Sequence, residues 1–277
     1  MDTVVIVLGI AAGVSLFTWV ASLLTGDHSW VDRIWSIVPV VYVAVFWAGT
    51  GFTDPRLTIM TVLVALWGAR LTFNFARKGG YSGVEDYRWP ILRERMTAGQ
   101  FHIFNLLFIV IFQNALLLLI SLPALVAFEN QSVPVGPLDL TLAALFLAFL
   151  IGEFVADQQQ WNFHQSKKAA IAAGHEPAQR FVTSGLWRLS RHPNFFFEQA
   201  QWWVLYAMGA AALGAALHWT IIGPILLTAL FIGSTRFTEE ITLSKYPEYA
   251  EYQSRTSMLV PWIPRGGRAA TADAPAA

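Results

Sequence analysis

The chain has 277 residues, of which 55% are hydrophobic and only 13% charged, against about 25% charged in soluble domains, and this excludes an ordinary water-soluble globule. Eighteen basic residues balance eighteen acidic ones, so no net field favours nucleic acid and the expected partners are membrane lipids and a small lipophilic molecule. With no cysteine, disulfides, thiolate metal sites and cysteine nucleophiles are excluded.

Crossing roughly 30 Å of hydrocarbon takes about 20 mostly apolar residues. Seven segments qualify, near 3–25, 34–52, 57–76, 103–128, 138–156, 199–217 and 219–235. The expected fold is an all-α integral membrane bundle of seven transmembrane helices. The loop after the third segment carries Arg77, Lys78, Arg88, Arg93 and Arg95, and the loop after the fifth carries Lys167, Lys168, Arg180, Arg188 and Arg191. The tail carries Arg236, Lys245, Arg255, Arg265 and Arg268. Seven crossings put all three, with Arg33, on the cytoplasmic side, leaving the amino terminus outside, the carboxyl terminus inside and Arg56 facing outward. Residues 1–264 read as one domain, 1–130 mainly a substrate cavity and 138–264 mainly a cofactor site. The Ala-rich stretch 265–277 reads as a disordered tail.

Polar residues are concentrated in 153–198, far longer than a connecting loop requires. Asp157, Gln158, Gln159 and Asn162 continue the fifth helix beyond the membrane. Pro193 is expected to start a helix and Asn194 to cap it. Arg188, Arg191, His192 and Asn194 then surround a positive helix start suited to phosphate or pyrophosphate. The plain alternative is that these basic residues meet lipid head groups and fix topology. A metal site is not expected, because His192 has no companion ligands in the pattern. No GxGxxG follows a strand, so a Rossmann site is unsupported.

The strings GLWRLSRHPNFFFEQAQWW at 185–203, EYAEYQSRTSMLVPWIP at 248–264 and GVEDYRW at 83–89 resemble bacterial members of the steroid 5-alpha-reductase family, from about Asp32 to Pro264. The resemblance implies seven spans, NADPH held by the carboxyl-terminal spans and cytoplasmic loops, and a lipid-facing cavity for a steroid or other enone. By the same resemblance Asp157, Arg180, Asn194, Glu198 and Arg236 match cofactor positions. Tyr246, Tyr249, Tyr252 and Arg255 fall in the tail that closes over the cofactor. Asn162, Arg188, Arg191, His192, Trp202 and Glu240 complete the expected cofactor set. An RHPN-type motif also occurs in membrane methyltransferases that use S-adenosylmethionine, so it does not choose the cofactor alone.

On the substrate side the family pairs a Glu after the first span with a Tyr in the next polar stretch. Here WVDRIWS places Asp32 or Arg33 near the acidic position, with Trp35 beside it, and LWGAR places Trp67 where the Tyr is expected. An indole cannot donate a proton in that role, so Tyr87, Tyr81, Gln113 or Asp32 takes it over, or the substrate differs. Asp32 and Arg33 also fit a simple helix-start pair. Arg70 lies within a span, where a charge marks function by default, while Gln113 either lines the cavity or joins helices. Gly209 and Gly214 read as close helix packing.

The expectation is a monomeric NADPH-dependent reductase of the bacterial inner membrane. It would reduce a carbon–carbon double bond conjugated to a ketone in a lipophilic substrate, a 4-ene-3-ketosteroid becoming the 5-alpha-reduced steroid. The alternatives are an S-adenosylmethionine-dependent methyltransferase and a non-enzymatic lipid-binding protein. Multiple arginines suit a phosphate-bearing cofactor better than adenosylmethionine.

Overall fold

The computed structural model describes residues 2–264, so the expected tail at 265–277 lies outside the described residues. Among these residues every regular element is helical, and the β-type pairing found is an isolated bridge between Ser190 and Ser257. Hydrocarbon demands this, because a helix satisfies its backbone groups internally.

Helix α1 (Thr3–Thr25) starts where the Asp2 side chain accepts from the Val4 amide and stops at Gly26, whose φ of 67° ends it in the left-handed region. After the short α2 (Trp30–Ile34) come α3 (Val38–Gly49) and α4 (Pro55–Arg77), the latter capped by Asp54 with Pro at its first position. The short α5 (Arg88–Glu94) follows. The next long element, Ala98–Glu129, opens with a Thr97/Gln100 capping box and is not one regular helix. It runs as α6 (Ala98–Phe104), a π-helical stretch Asn105–Phe112, α7 (Gln113–Ser121) and, restarted at Pro123, α8 (Pro123–Glu129). Then come α9 (Pro137–Ala172), α10 (Pro193–Leu213), α11 (Ile222–Lys245) and α12 (Tyr249–Arg255).

Five helical segments are long and apolar enough to cross a membrane: Thr3–Thr25, Pro55–Arg77, Ala98–Glu129, Pro137–Ala172 and Trp219–Lys245. The protein is therefore a multi-pass helical membrane protein. Two of the seven expected segments fall short. In 34–52 only α3 is a continuous apolar helix, and its 12 residues cover about 18 Å at 1.5 Å per residue. It ends at Gly51 and Phe52, both with φ of 65°. The 199–217 segment lies within α10, whose first turns carry Asn194, Glu198, Gln199 and Gln201, and these polar side chains break the apolar run.

The chain forms two compact units, one from residues up to 150 with 199–230, the other from 151–198 with the described residues from 231 on. In the first, α3 packs against α1, α4, α7 and α8. Glycine makes these approaches possible: a Cβ on Gly68 would stand 2.5 Å from the Ser36 carbonyl oxygen, and one on Gly209 2.9 Å from that of Pro123. Gly214 has no such neighbour and instead ends α10 with a φ of 72°. Arg56, expected to face outward, is buried and grips Asp139 through Nε at 2.7 Å and Nη2 at 3.0 Å. Its Nη1 and Nη2 also donate to the carbonyls of Val133 and Pro134.

Candidate functional site

The first unit carries a set of buried polar groups inside its helical core. Trp67 on α4 and Trp202 on α10 are 0% and 1% exposed and meet edge to face at 4.8 Å. Neither indole N–H has an acceptor. Tyr42, 0% exposed on α3, has a phenol without a hydrogen-bond partner. Gly68 lies against Ser36 and Val40, so α3 brings Tyr42 to within about one turn of the height of Trp67. Gln113, on the α7 that packs against α3, is buried with no donor to its Oε1. Arg70, one turn from Trp67 on α4, is also buried. Each orphaned polar atom costs about 1–3 kcal/mol when water is excluded, and three of these atoms are donors.

A polar cluster joins 27–33 to 80–93 in the same unit. Asp32 accepts from the Trp89 indole at 3.1 Å. Burial, reinforced by Asp86, pushes the Asp32 carboxyl up to about 6 against the opposing pull of Arg88. Arg33 is not a surface topology charge: it is buried and donates to Asp27 and to the Gly80 carbonyl, while Tyr81 donates to the Arg33 carbonyl. The His28 amide and Nδ1 lie 3.0 and 3.1 Å from Glu85 Oε1, which also accepts from Arg93. Burial lowers the His28 imidazole pKa below its ordinary value. Of the expected substrate-side residues, Trp67, Arg70 and Gln113 lie in the core, Asp32 belongs to this cluster, Trp35 is half-buried and Tyr87 is half-exposed at the surface.

In the second unit the organising residue is Glu239 on α11. It accepts two bonds from Arg191, at 2.6 and 3.0 Å, and lies 3.0 Å from His192 Nε2. Tyr249 and Gln253 also donate to it. Arg191 further donates to the carbonyls of Gln253 and Thr256, and its amide to that of Ser257. Arg191 and His192, expected at the phosphate, are thus engaged in fastening the carboxyl-terminal segment to Ser190–His192. Tyr252 donates to the Trp187 carbonyl and Trp187 to that of Ala156. Burial raises both Tyr249 and Tyr252 above the ordinary phenol range.

Asn194 does not cap α10, which begins one residue earlier at Pro193. Its Nδ2 donates to Asp157 at 3.2 Å, while its buried Oδ1 has no donor. Glu198, one turn on, is buried. Arg188, Arg236, Glu240 and Asn162 are exposed, and Asn162 accepts from Gln158. Arg180, also exposed, lies 3.6 Å from Glu248, and its carbonyl accepts from Lys167, which donates to Tyr246 as well. Phe181 contacts the rings of Tyr246, Tyr249 and Tyr252, and Arg255 pairs with Glu251 on the surface. At Gly185, with φ of 64°, a Cβ would strike the Gln159 amide, which accepts from the Leu186 N–H. Among the described residues no three His, Asp or Glu side chains converge as metal ligands.

The profile of the DUF1295 family, described as a protein of unknown function, matches residues 18–256. The chain belongs to the DUF1295 family. An uncharacterised protein of Schizosaccharomyces pombe is 37% identical to this DUF1295 chain over 258 residues, which cover 88% of the chain and 75% of the yeast protein. That relative is eukaryotic, so it lends no support to the expected bacterial source and inner-membrane location. No solved structure matches.

Sequence reasoning missed Tyr42 and Glu239. Tyr42 sits in the apolar run VPVVYVAVF, where an aromatic ring reads as core. Glu239 had one available signal, an acid in a helix that otherwise qualifies as a span.

Proposed function

We propose that the protein is a membrane-embedded reductase that uses NADPH to saturate a carbon–carbon double bond conjugated to a ketone in a lipophilic substrate, with 4-ene-3-ketosteroids as the first class to test. The observation that carries this reading is the set of buried donors without acceptors in the first unit: the Tyr42 phenol and the Trp67 and Trp202 indoles. In an apolar setting such donors suit an acceptor-only oxygen on an otherwise hydrocarbon ligand, and aimed at a ketone they stabilise the charge that develops on it. Tyr42 takes the donor role that Trp67 cannot fill.

The second unit fits a dinucleotide phosphate in its chemistry. Asn194 offers a buried carboxamide oxygen without a donor, and Arg180, Arg188 and Arg236 offer exposed guanidinium groups for phosphate. Bound there, NADPH supplies the hydride. Arg191 and His192 act on this site by fastening the tail that carries Tyr249 and Tyr252. The same reading takes α3 and α10 as two further crossings, seven in all, with the amino terminus outside. It treats the molecule as a monomer that draws its substrate from the lipid.

Detergent-purified protein warmed with NADPH, NADH or S-adenosylmethionine tests the proposal, because a ligand at 100 times its Kd adds about 2.7 kcal/mol of stability. NADPH is expected to raise the melting temperature most, and a 4-ene-3-ketosteroid to be consumed with NADPH oxidation. Stabilisation by S-adenosylmethionine alone overturns the reading in favour of methyl transfer.

A further inference from the structure

The seam between α1 and the element Ala98–Glu129 is polar in a way that helix association alone does not explain. Asn105 Nδ2 donates to Ser22 at 2.9 Å, and Asn114 Nδ2 donates to Thr18 at 3.1 Å and to the Val110 carbonyl. The hydroxyl protons of Ser22 and Thr18 are already engaged by the α1 carbonyls of Trp19 and Val14. The orientation of both asparagine amides is thereby fixed, and their oxygens are acceptors with no donor in reach. Gln113 Oε1 adds a third. All three residues are at most 4% exposed. Three carboxamide oxygens within nine residues, on the element whose π stretch departs from regular helix, call for donors small enough to enter between packed helices.

We infer that this seam holds a short file of water molecules that carries protons into the bundle. Water is the donor that fits: it satisfies two to four partners in a polar buried site. One end lies at Ser22 and Asn105, one turn before Gly26 and next to the His28–Glu85–Arg93 group. The other lies at Gln113 on α7, which packs against the α3 that carries Tyr42. The water file stands by itself, while its use rests on the reductase reading. Reduction of the conjugated bond forms one C–H bond at the β-carbon from hydride, moves the π electrons onto the ketone oxygen, and forms the second C–H bond at the α-carbon from a proton. That proton comes from the file, and the hydroxide left behind is neutralised from the solvent end.

X-ray radiolysis of water in the full-length protein in detergent, without cofactor, tests the file directly, since hydroxyl radicals oxidise side chains beside bound water. Ile109 and Val110, 1% and 2% exposed, are expected to be oxidised well above the equally buried Leu57 and Val64. The excess should vanish in Asn114→Leu and in Asn105→Leu, each checked for an unchanged melting profile, and return in Asn114→Ser. Labelling of Ile109 and Val110 no greater than that of Leu57 and Val64 overturns the proposal. For the proton role, Asn114→Leu is expected to slow turnover by about tenfold or more and to raise the solvent deuterium isotope effect, with NADPH affinity unchanged. An unaltered isotope effect removes that role. A wild-type protein that reduces no enone sinks the reductase reading, and the labelling then decides the water file by itself.

Discussion

Tyr42 and Asp32 show how burial changes what a side chain can do. A phenol enclosed on α3 with no partner is held ready for an acceptor, so Tyr42→Phe removes one O–H and no volume elsewhere. If the phenol meets a ketone, turnover falls by about 100-fold while NADPH affinity stays near wild type. Equal turnover in the variant returns Tyr42 to a packing role. Asp32 makes a pH prediction. Its carboxyl rises from the ordinary 3.8 to about 6 in the fold, so the folded state prefers the protonated acid. An acid raised in this way stabilises fully below its unfolded pKa, and the contribution is lost as pH climbs through the folded value. Wild type should therefore lose stability relative to Asp32→Asn between about pH 4 and pH 6, read from paired melting curves. Parallel curves across that window contradict the shift.

Between elements, the decisive contacts join residues far apart in sequence. Arg56 at the start of α4 and Asp139 at the start of α9 form an ion pair with both side chains at most 3% exposed. Arg56→Ala leaves a buried carboxylate unpaired and should cost about 3–5 kcal/mol, whereas Arg56→Met with Asp139→Leu should recover most of it. Denaturant melts of the three proteins measure this, and an Arg56→Ala loss below the range expected of surface pairs would place the pair at the surface. This pair was not legible in the sequence: Arg56 read as a lone outward charge because nothing local announces a partner 83 residues away. The long apolar helices were legible, since hydropathy and span length are properties of single segments. The breaks were less so. Pro123 marks the restart of α8, but the π stretch Asn105–Phe112 has no local signature, and its stacked Phe104, Phe108 and Phe112 look like any apolar run. The 185–203 string was singled out correctly as polar and organised. Its Arg191 and His192 turn to Glu239 because the tail returns to meet them, a pairing that the spacing of either segment cannot show.

For the whole molecule, the topology reading makes a direct prediction, and the absence of native cysteine makes it simple to check. Single cysteines introduced at Val133 and Leu217 should react with an impermeant maleimide from the side of the amino terminus, and one at Lys168 from the opposite side. Labelling of all three from one side refutes seven crossings. The π stretch has a further consequence for how such a chain tolerates changes of length. Each of its i→i+5 rings encloses one residue more than an α-helical ring, so the segment holds surplus chain. Loss of a single residue there lets the helix close as regular α, and everything after it turns by about 100°. Gln113 and Asn114 then leave the seam while their lipid-facing neighbours swing inward. In this part of the protein a one-residue deletion is a rotation, one that exchanges a wet face for an oily face without shortening the span enough to leave the membrane.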